Sequence, residues 1–403
     1  MWQVDHQCTQ CGAAVVLEEG QRLFKCPFCR VKLYISARGI FQYHLAAGRE
    51  SGETTFVPYW RFKGMAFSFT GTGVECGLVD VSRNATRFTF LPASLGLRSQ
   101  TQKLRFLSQP FQGRFLERDI ALEDTLALEE RFAGTGMMRR DKTYIGESTS
   151  VIYLPVRRRD ACFYDGISGE MIDIPQQDWP GPADCAIPGE GGLVFSACLC
   201  PECGADLDGE AQSEVLTCRN CLSAWRPSEA GFQKIPCSFA PGRGEPLLYL
   251  PFWHIQAYAQ GILETRADAG RLLNLAEVAR PQWASEPFRA LVPAFKIVPD
   301  WFLRIAAFMT FKPGEFSWEE GCPAEAVFPA TLPSGEAFES LKMVLAQAAY
   351  AKRKLALIFP AMNFALHSAS LVYLPFIARG LELILPDGQF GISSSALKWG
   401  KGI

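Results

Sequence analysis

Eight of the fourteen cysteines form four Cys-x-x-Cys pairs whose spacing suits metal coordination. In such a pair the backbone turns tightly, so that both thiolates reach one ion, and two pairs complete a tetrahedral shell of four sulfurs. Fifteen positions separate the first pair from the second in each half of the chain. We therefore predict two metal sites, with the ligands Cys8, Cys11, Cys26 and Cys29 in the first and Cys200, Cys203, Cys218 and Cys221 in the second.

The predicted metal is zinc, as two structural ions per chain. Short apolar stretches between the pairs read as the strands of a small hairpin, and ribbons of this size need a metal to stay folded. Two sets with the same spacing do not arise by chance, and they are atypical of redox-active dithiols. Iron bound as in rubredoxin is the alternative metal, because it uses the same four-thiolate shell.

The sequence predicts no catalytic residue, no cofactor-binding residue and no enzyme activity. The four histidines lie outside any His-Glu-x-x-His pattern, and no phosphate-binding Gly-x-x-x-x-Gly-Lys-Ser/Thr loop is present. A histidine in a strand, such as His254, is more simply a residue with an exposed tip than a general base. The cysteines outside the pairs are predicted to be small buried apolar residues: Cys76, Cys162, Cys185, Cys198, Cys237 and Cys322.

The two halves of the chain correspond at four places in the same order, which indicates a tandem duplication. The cysteines match at an offset of 192 positions, residues 55–62 match 248–255, and residues 148–155 match 368–375 at an offset of 220. Residues 90–93 are aligned with residues 291–294. Because the offset only grows, we predict insertions in the second copy, mainly within residues 312–335.

The expected fold class is α+β and rich in β structure. Two tandem copies of a rubredoxin-like zinc ribbon are each followed by a mainly antiparallel β domain with one main helix. The helices are predicted at Asp119 to Phe132 and Glu336 to Leu357, with a shorter one at Leu272 to Ala279. The predicted domains are a ribbon at 1–36, a β-rich domain at 37–175, a linker at 176–195, a second ribbon at 196–228 and a second β-rich domain at 229–403.

The ribbon cysteines, followed by Val57-Pro58-Tyr59-Trp60 and by Leu250-Pro251-Phe252-Trp253, resemble a group of bacterial proteins described as TFIIB-type or primosomal-helicase-like zinc ribbons. The resemblance covers about a third of each half, at the level of short motifs. It implies a zinc ribbon, and it implies no settled function.

The overall charge gives no support to a large nucleic-acid interface, since the net charge is −2. Basic clusters such as residues 157–159 and 352–354 are expected to be solvated surface, and contact with phosphate is the alternative. Residues 355–378 lack Asp, Glu, Lys and Arg, but they contain two prolines and correspond to a charged segment of the first half. We therefore expect no integral membrane segment and a cytoplasmic location.

The functional hypothesis is a zinc-binding structural or adaptor protein that docks a protein partner through its ribbons and its aromatic β surfaces. Binding of nucleic acid through the ribbons is the first alternative. Electron transfer through rubredoxin-like iron sites is the second alternative.

Overall fold

The computed structural model describes residues 2–47, 52–96, 98, 102–107, 114–126, 141–181, 185–186, 192–228, 231–242, 246–274, 280–312 and 316–400. The described part of the chain is rich in β structure, with 45% of its residues in strands and 19% in helices. It divides into two compact units. Unit 1 comprises Met1–Lys63, Asp80–Met137 and Ser148–Ala197, and unit 2 comprises Gly64–Val79, Met138–Glu147 and Cys198–Ile403.

This division differs from the predicted domains, because residues 64–79 and 138–147 group with unit 2 rather than with the first β-rich domain. The reason is strand length. Strand β6 has 17 residues and β10 has 19, so that each extends about 55–60 Å at roughly 3.3 Å per residue, longer than a typical strand. Part of the predicted linker is strand, since residues 193–197 pair within unit 1.

The strands of the first half begin with a ribbon and continue into long paired segments. They are β1 (Gln3–Gln7), β2 (Ala14–Glu18), β3 (Leu23–Lys25), β4 (Lys32–Ala37), β5 (Phe41–Leu45), β6 (Glu53–Phe69), β7 (Val74–Asn84), β8 (Leu104–Phe106), β9 (Arg114–Leu116), β10 (Asp141–Arg159), β11 (Cys162–Asp165), β12 (Met171–Ile172), β13 (Cys185–Ala186) and β14 (Leu193–Ala197).

Within the described residues, the large sheet of the first half has the strand order β13-β9-β6-β10-β5-β8-β1-β2. Strand β7 pairs with β6, while β11 and β12 extend from β10 as a hairpin. A separate sheet, in the order β14-β4-β3, carries the second cysteine pair. The core of unit 1 is built from the buried faces of these strands, including Val57, Tyr59, Ile152 and Leu154.

The strands of the second half follow the same progression from ribbon to long pair. They are β15 (Leu207–Asp208), β16 (Leu216–Cys218), β17 (Ser223–Ser228), β18 (Gly231–Ile235), β19 (Cys237–Phe239), β20 (Leu247–Tyr258), β21 (Arg289–Pro293), β22 (Glu319–Glu320), β23 (Ala365–Arg379), β24 (Glu382–Ile384) and β25 (Gly391–Ser393).

In the described part of this half, the ribbon sheet has the order β15-β16-β17-β18, and the larger sheet has the order β21-β20-β23-β19-β22. Its helices are α1 (Arg266–Leu273), α2 (Pro299–Phe311), α3 (Ser334–Glu339), α4 (Leu341–Ala348), α5 (Lys352–Ile358) and α6 (Ser394–Gly400). Helix α2 packs in the core of unit 2 against β21 and α4.

The predicted helices are only partly correct. The single helix expected from Glu336 to Leu357 is three short helices, α3 to α5. The first break lies at Ser340, and the second lies at Ala349, where the backbone becomes extended and ends α4. Helix α1 begins at Arg266, where Thr265 and Asp268 form a capping box, and it ends at a left-handed Asn274. Residues 275–279 of that prediction lie outside the described residues.

In the first half, helix is present at residues 122–126, within the predicted Asp119 to Phe132 helix, and residues 127–132 are outside the described part. Helix α2 is absent from the sequence-based prediction. Its buried residues Phe302, Leu303, Ile305, Ala306 and Met309 lie on one face at helical spacing, so the helical period is present in the sequence and the prediction overlooks it.

Most of the described strand pairs are antiparallel, as predicted, but each large sheet also contains parallel pairing. Strand β5 is parallel to β10, β19 is parallel to β23, and β1 and β6 have the parallel neighbours β8 and β9. Both large sheets are therefore mixed. The long hairpin-like pairs, such as β20 with β23, are antiparallel.

The two halves share the same pairing registers. In the parallel pair of the first half, Ile152 lies opposite Tyr43, and in that of the second half Val372 lies opposite Ser238. The hairpins β10–β11 and β23–β24 match residue for residue at the offset of 220.

The two halves have an equivalent corner next to Pro58 in β6 and Pro251 in β20, where the residue that follows the neighbouring strand hydrogen-bonds to the proline. The carbonyl of Pro58 accepts from the amide of Ala85, as that of Pro251 does from Ala294, both at 3.0 Å. In each half the indole of the Trp two residues after that proline donates to a backbone carbonyl at 2.8 Å. Ala294 therefore corresponds to Ala85, and the alignment of residues 90–93 with residues 291–294 is wrong.

Within the described residues, no helix is both long and apolar enough to span a membrane. The uncharged stretch 355–378 contains the end of α5, a short 3-10 turn and most of β23.

Candidate metal centres

The first cluster joins the two ends of ribbon 1. Strands β1 and β2 present Cys8 and Cys11 at their connecting turn, and β3 and β4 present Cys26 and Cys29 at theirs. The amide of Gly12 donates to the Cys8 carbonyl at 2.8 Å, and that of Arg30 donates to the Cys26 carbonyl at 2.9 Å. These bonds close each turn, and Gly12 provides the positive φ that the first turn requires.

The second cluster has the same backbone. Gly204 donates to the Cys200 carbonyl at 2.8 Å, and the amide of Cys200 donates to Ala205 as that of Cys8 does to Ala13. The pair β16–β17 places Cys218 opposite Ser223, in the register of the first ribbon, where Cys26 donates its amide to Val31. Leu222 has positive φ, as Arg30 has in ribbon 1.

The sulfur separations fit tetrahedral coordination. Sγ of Cys8 is 3.8 Å from Sγ of Cys29, and the corresponding Cys200–Cys221 distance is 3.6 Å. The Cys11–Cys26 and Cys203–Cys218 distances are 3.7 and 3.5 Å. A tetrahedron with metal–sulfur bonds of about 2.3 Å has sulfur–sulfur edges of about 3.8 Å.

All four ligand atoms of each set lie within 4.8 Å of one another, so the structure brings the eight predicted cysteines together as two groups that could hold a metal ion. In both groups the first and third cysteines are buried and the second is exposed. A complete set of four thiolates leaves no open coordination position for substrate, which is typical of a structural rather than a catalytic site.

Hydrogen bonds lower the pKa of one cysteine in each cluster. The backbone amide of Cys29 lowers the pKa of Cys26 to about 6. A hydrogen bond from the side chain of Asn220 lowers the pKa of Cys203 to about 6. Thiolate is the form that binds metal, so each site has a ligand that is largely ionised at neutral pH.

The side chains around the clusters differ. In ribbon 2 the hydroxyl of Ser223 lies 2.9 Å from Sγ of Cys221 and accepts a 2.7 Å bond from the indole of Trp225. Because the indole supplies one proton to that oxygen, the hydroxyl proton is available to the sulfur. In ribbon 1 the equivalent positions hold Val31 and Leu33, which have no polar hydrogen in the side chain.

The histidines lie outside both ligand groups. His6 stacks on Phe195 with a centroid separation of 4.9 Å, and burial lowers its pKa. His254 lines a cavity of about 280 Å³ with Trp283 and Trp318, rather than presenting an exposed tip. Burial also lowers the pKa of His254. Among the basic residues, Arg157 is buried and donates to the Gly166 carbonyl at 3.1 Å, so it is not solvated surface.

The spacing of the cysteines in the sequence did not predict one close pair of sulfur atoms. Sγ of Cys237 lies 3.3 Å from Sγ of Cys322, although 85 positions separate the two residues. No local motif connects them, since Cys237 opens β19 and Cys322 follows β22. Only the antiparallel pairing of β19 with β22 could have signalled it.

Comparison of the chain with protein-family models, with curated proteins and with solved structures gave no match.

Proposed function

We propose that the chain is a zinc-binding scaffold, in which two structural ions hold the ribbons folded and the ribbon surfaces dock a protein partner. The observation that carries this proposal is the pair of closed tetracysteine groups with one shared backbone geometry. A closed shell supplies folding energy without an exchangeable position, as structural zinc sites do. The shared registers of the two halves support an origin by tandem duplication.

The tip of ribbon 1 is the favoured docking surface. Phe28 lies between Cys26 and Cys29 and exposes 66% of its surface, in the position that Asn220 holds in ribbon 2. Aromatic side chains are enriched in the centres of protein interfaces, and a Phe on a metal-braced turn loses little conformational freedom on binding. Ribbon 1 thus offers an apolar contact where ribbon 2 offers a polar one.

Metal analysis of the native full-length chain tests the first half of the proposal. We expect about two zinc ions per chain in a colourless protein, and loss of thermal stability on chelation. A red protein containing iron would overturn the zinc assignment in favour of the rubredoxin-like alternative.

Docking is tested by affinity purification of the tagged chain from its own host, with Phe28→Ser and Met171→Ser as a matched pair, since both side chains are 66% exposed. We expect a protein that copurifies with the parent and with M171S but is lost with F28S, while the zinc content of all three stays the same. Equal recovery with all three contradicts docking through this tip. Recovery of DNA or RNA that falls steeply with salt instead favours the nucleic-acid alternative.

A further inference from the structure

Unit 2 contains a pair of thiols that neither metal group uses. Sγ of Cys237 is 3.3 Å from Sγ of Cys322, Cys322 is buried and Cys237 is half-buried. Within the described residues, the candidate metal groups consist of the eight ribbon cysteines alone, so this pair lacks the further ligands that a metal needs. A disulfide bond is about 2.05 Å long, and a short side-chain movement closes the remaining gap.

The backbone holds the two thiols in place from both sides. The amide of Gly321 donates to the carbonyl of Cys237 at 3.0 Å, and the amide of Cys322 donates to the carbonyl of Leu222 at 2.8 Å. Cys237 is also paired in register with Leu371 of the central strand β23. The short sulfur–sulfur distance therefore results from sheet pairing rather than from two loose loops.

The pair is specific to the second half. In the parallel pair of the first half, the residue in the register of Cys237 is Gln42, opposite Val151 as Cys237 is opposite Leu371. The thiol at 237 is thus no part of the repeated ribbon pattern. The repeated pattern therefore does not explain why the Cys237 sulfur lies next to the Cys322 sulfur.

We propose that Cys237 and Cys322 form a reversible intramolecular disulfide by exchange with a low-molecular-weight disulfide. In the first step the Cys237 thiolate attacks one sulfur of the small disulfide, forms a mixed disulfide and releases one small thiolate. In the second step the Cys322 sulfur attacks Cys237 Sγ, forms the protein disulfide and releases the second small thiolate. The two protein thiols lose two electrons and two protons, and the small disulfide is reduced to two thiols.

The environment assigns the order of the two steps. Cys237 is the more exposed thiol, and hydrogen bonding from Cys322, together with the charge of Lys234, lowers its pKa. The same contact with Cys237, together with burial, raises the pKa of Cys322. Cys237 is therefore the attacking thiol, and Cys322 is the resolving thiol that reaches only the neighbouring sulfur.

The test is oxidation of the reduced, zinc-loaded full chain with glutathione disulfide, followed by alkylation and tryptic mapping without reductant. We expect a chain about 2 Da lighter, from loss of two hydrogens, in which the Cys237 and Cys322 peptides are linked and the bond is reversed by dithiothreitol. The zinc content should stay unchanged. Glutathione on other cysteines with no Cys237–Cys322 link, or a link that includes a ribbon cysteine, would overturn the proposal.

Variants locate the attacking sulfur. Cys322→Ser should trap one glutathione on Cys237, Cys237→Ser should leave Cys322 largely unmodified, and Cys162→Ser should form the link as the parent does. Glutathione on Cys322 in C237S, at the level found on Cys237 in C322S, would contradict the assigned order. Mapping of the parent needs no variant, so the disulfide itself is tested even if a substitution prevents folding.

Discussion

The two metal centres have the same backbone geometry, but the side chains around their sulfur atoms differ. Both ribbons close their first turn with the same amide-to-carbonyl bond, and their strands pair in the same register. Around the sulfurs, ribbon 2 places the polar groups of Asn220 and Ser223, where ribbon 1 has the apolar Phe28 and Val31. Cluster geometry thus depends on residues that both ribbons share, while the hydrogen bonds to sulfur depend on residues that differ.

The β-rich parts of the two halves also share backbone hydrogen bonds and differ in their side chains. The corner with an indole hydrogen bond and an alanine amide recurs in both halves, whereas the residues on the parallel strand differ, with Gln42 and His44 in one half and Cys237 and Phe239 in the other. What is repeated is the hydrogen-bonded frame. The residues that differ are those through which each unit can acquire its own chemistry.

Removal of one ligand from each centre should give the largest effect. Cys26→Ser and Cys218→Ser replace equivalent buried ligands, and each should lower the zinc content from about two to about one per chain. Structural zinc contributes roughly 10–16 kcal/mol of binding free energy, so the affected ribbon should lose protection from amide exchange. Elemental analysis with hydrogen exchange measures both. If either variant keeps two ions, the corresponding group is not a four-ligand site.

The two corner tryptophans should differ in importance. Trp253 is 3% exposed and Trp60 is half-buried, although both indoles donate to a carbonyl at 2.8 Å. Trp253→Ala should cost about 3–5 kcal/mol of unfolding free energy, through a cavity and an unpaired carbonyl, and Trp60→Ala about half as much. Denaturant unfolding of both variants measures the two values, and a larger cost at Trp60 would contradict this ranking.

His44 should make stability depend on pH at a position where the second half has Phe239. Burial lowers its pKa to about 4, from 6.5 in the unfolded chain, so the unfolded state binds the additional proton between these values. The folded protein should therefore lose about 2 kcal/mol from this residue between pH 7 and pH 5. His44→Phe, which copies Phe239, should remove that loss. Parallel denaturant curves compare the two proteins, and an unchanged pH slope would show that His44 is not the group.

The smallest expected effect concerns the hydrogen bond to sulfur in ribbon 2. Ser223→Val copies Val31 and removes the hydroxyl next to Cys221. Outer hydrogen bonds change metal affinity by about 10- to 100-fold, and we expect the lower end, because one bond is lost. Competition with a chromophoric chelator measures the affinity of each site, with Val31→Ala as the control. Equal affinity in S223V and the parent would mean that the hydroxyl does not act on the metal centre.

The ligand sets follow from sequence because a Cys-x-x-Cys turn is local. The backbone of four residues determines where both sulfurs point, and the strands between the pairs are short enough to bring two turns together. The general β-rich character follows in the same way from alternating apolar residues in segments such as β6 and β20. The repeated motifs also placed the equivalent prolines and tryptophans correctly.

The helices were only partly predictable. The one-sided spacing of the buried α2 residues is a helical signal that the prediction overlooked, and packing in the unit 2 core determines where this helix lies. The stretch from Glu336 to Leu357 has good helical propensity throughout but is interrupted at Ala349. Local propensity is a weak preference, and tertiary packing overrides it.

The sequence by itself determined the two tetracysteine sets and the order of the repeated motifs, because both are encoded over a few neighbouring residues. Tertiary structure alone decided that Cys237 meets Cys322, that Ser223 reaches Cys221 Sγ with Trp225 behind it, and that residues 64–79 and 138–147 belong with unit 2. Contacts of this kind depend on strand register and strand length, and on residues up to 85 positions apart. No pattern within a short window of sequence specifies those quantities.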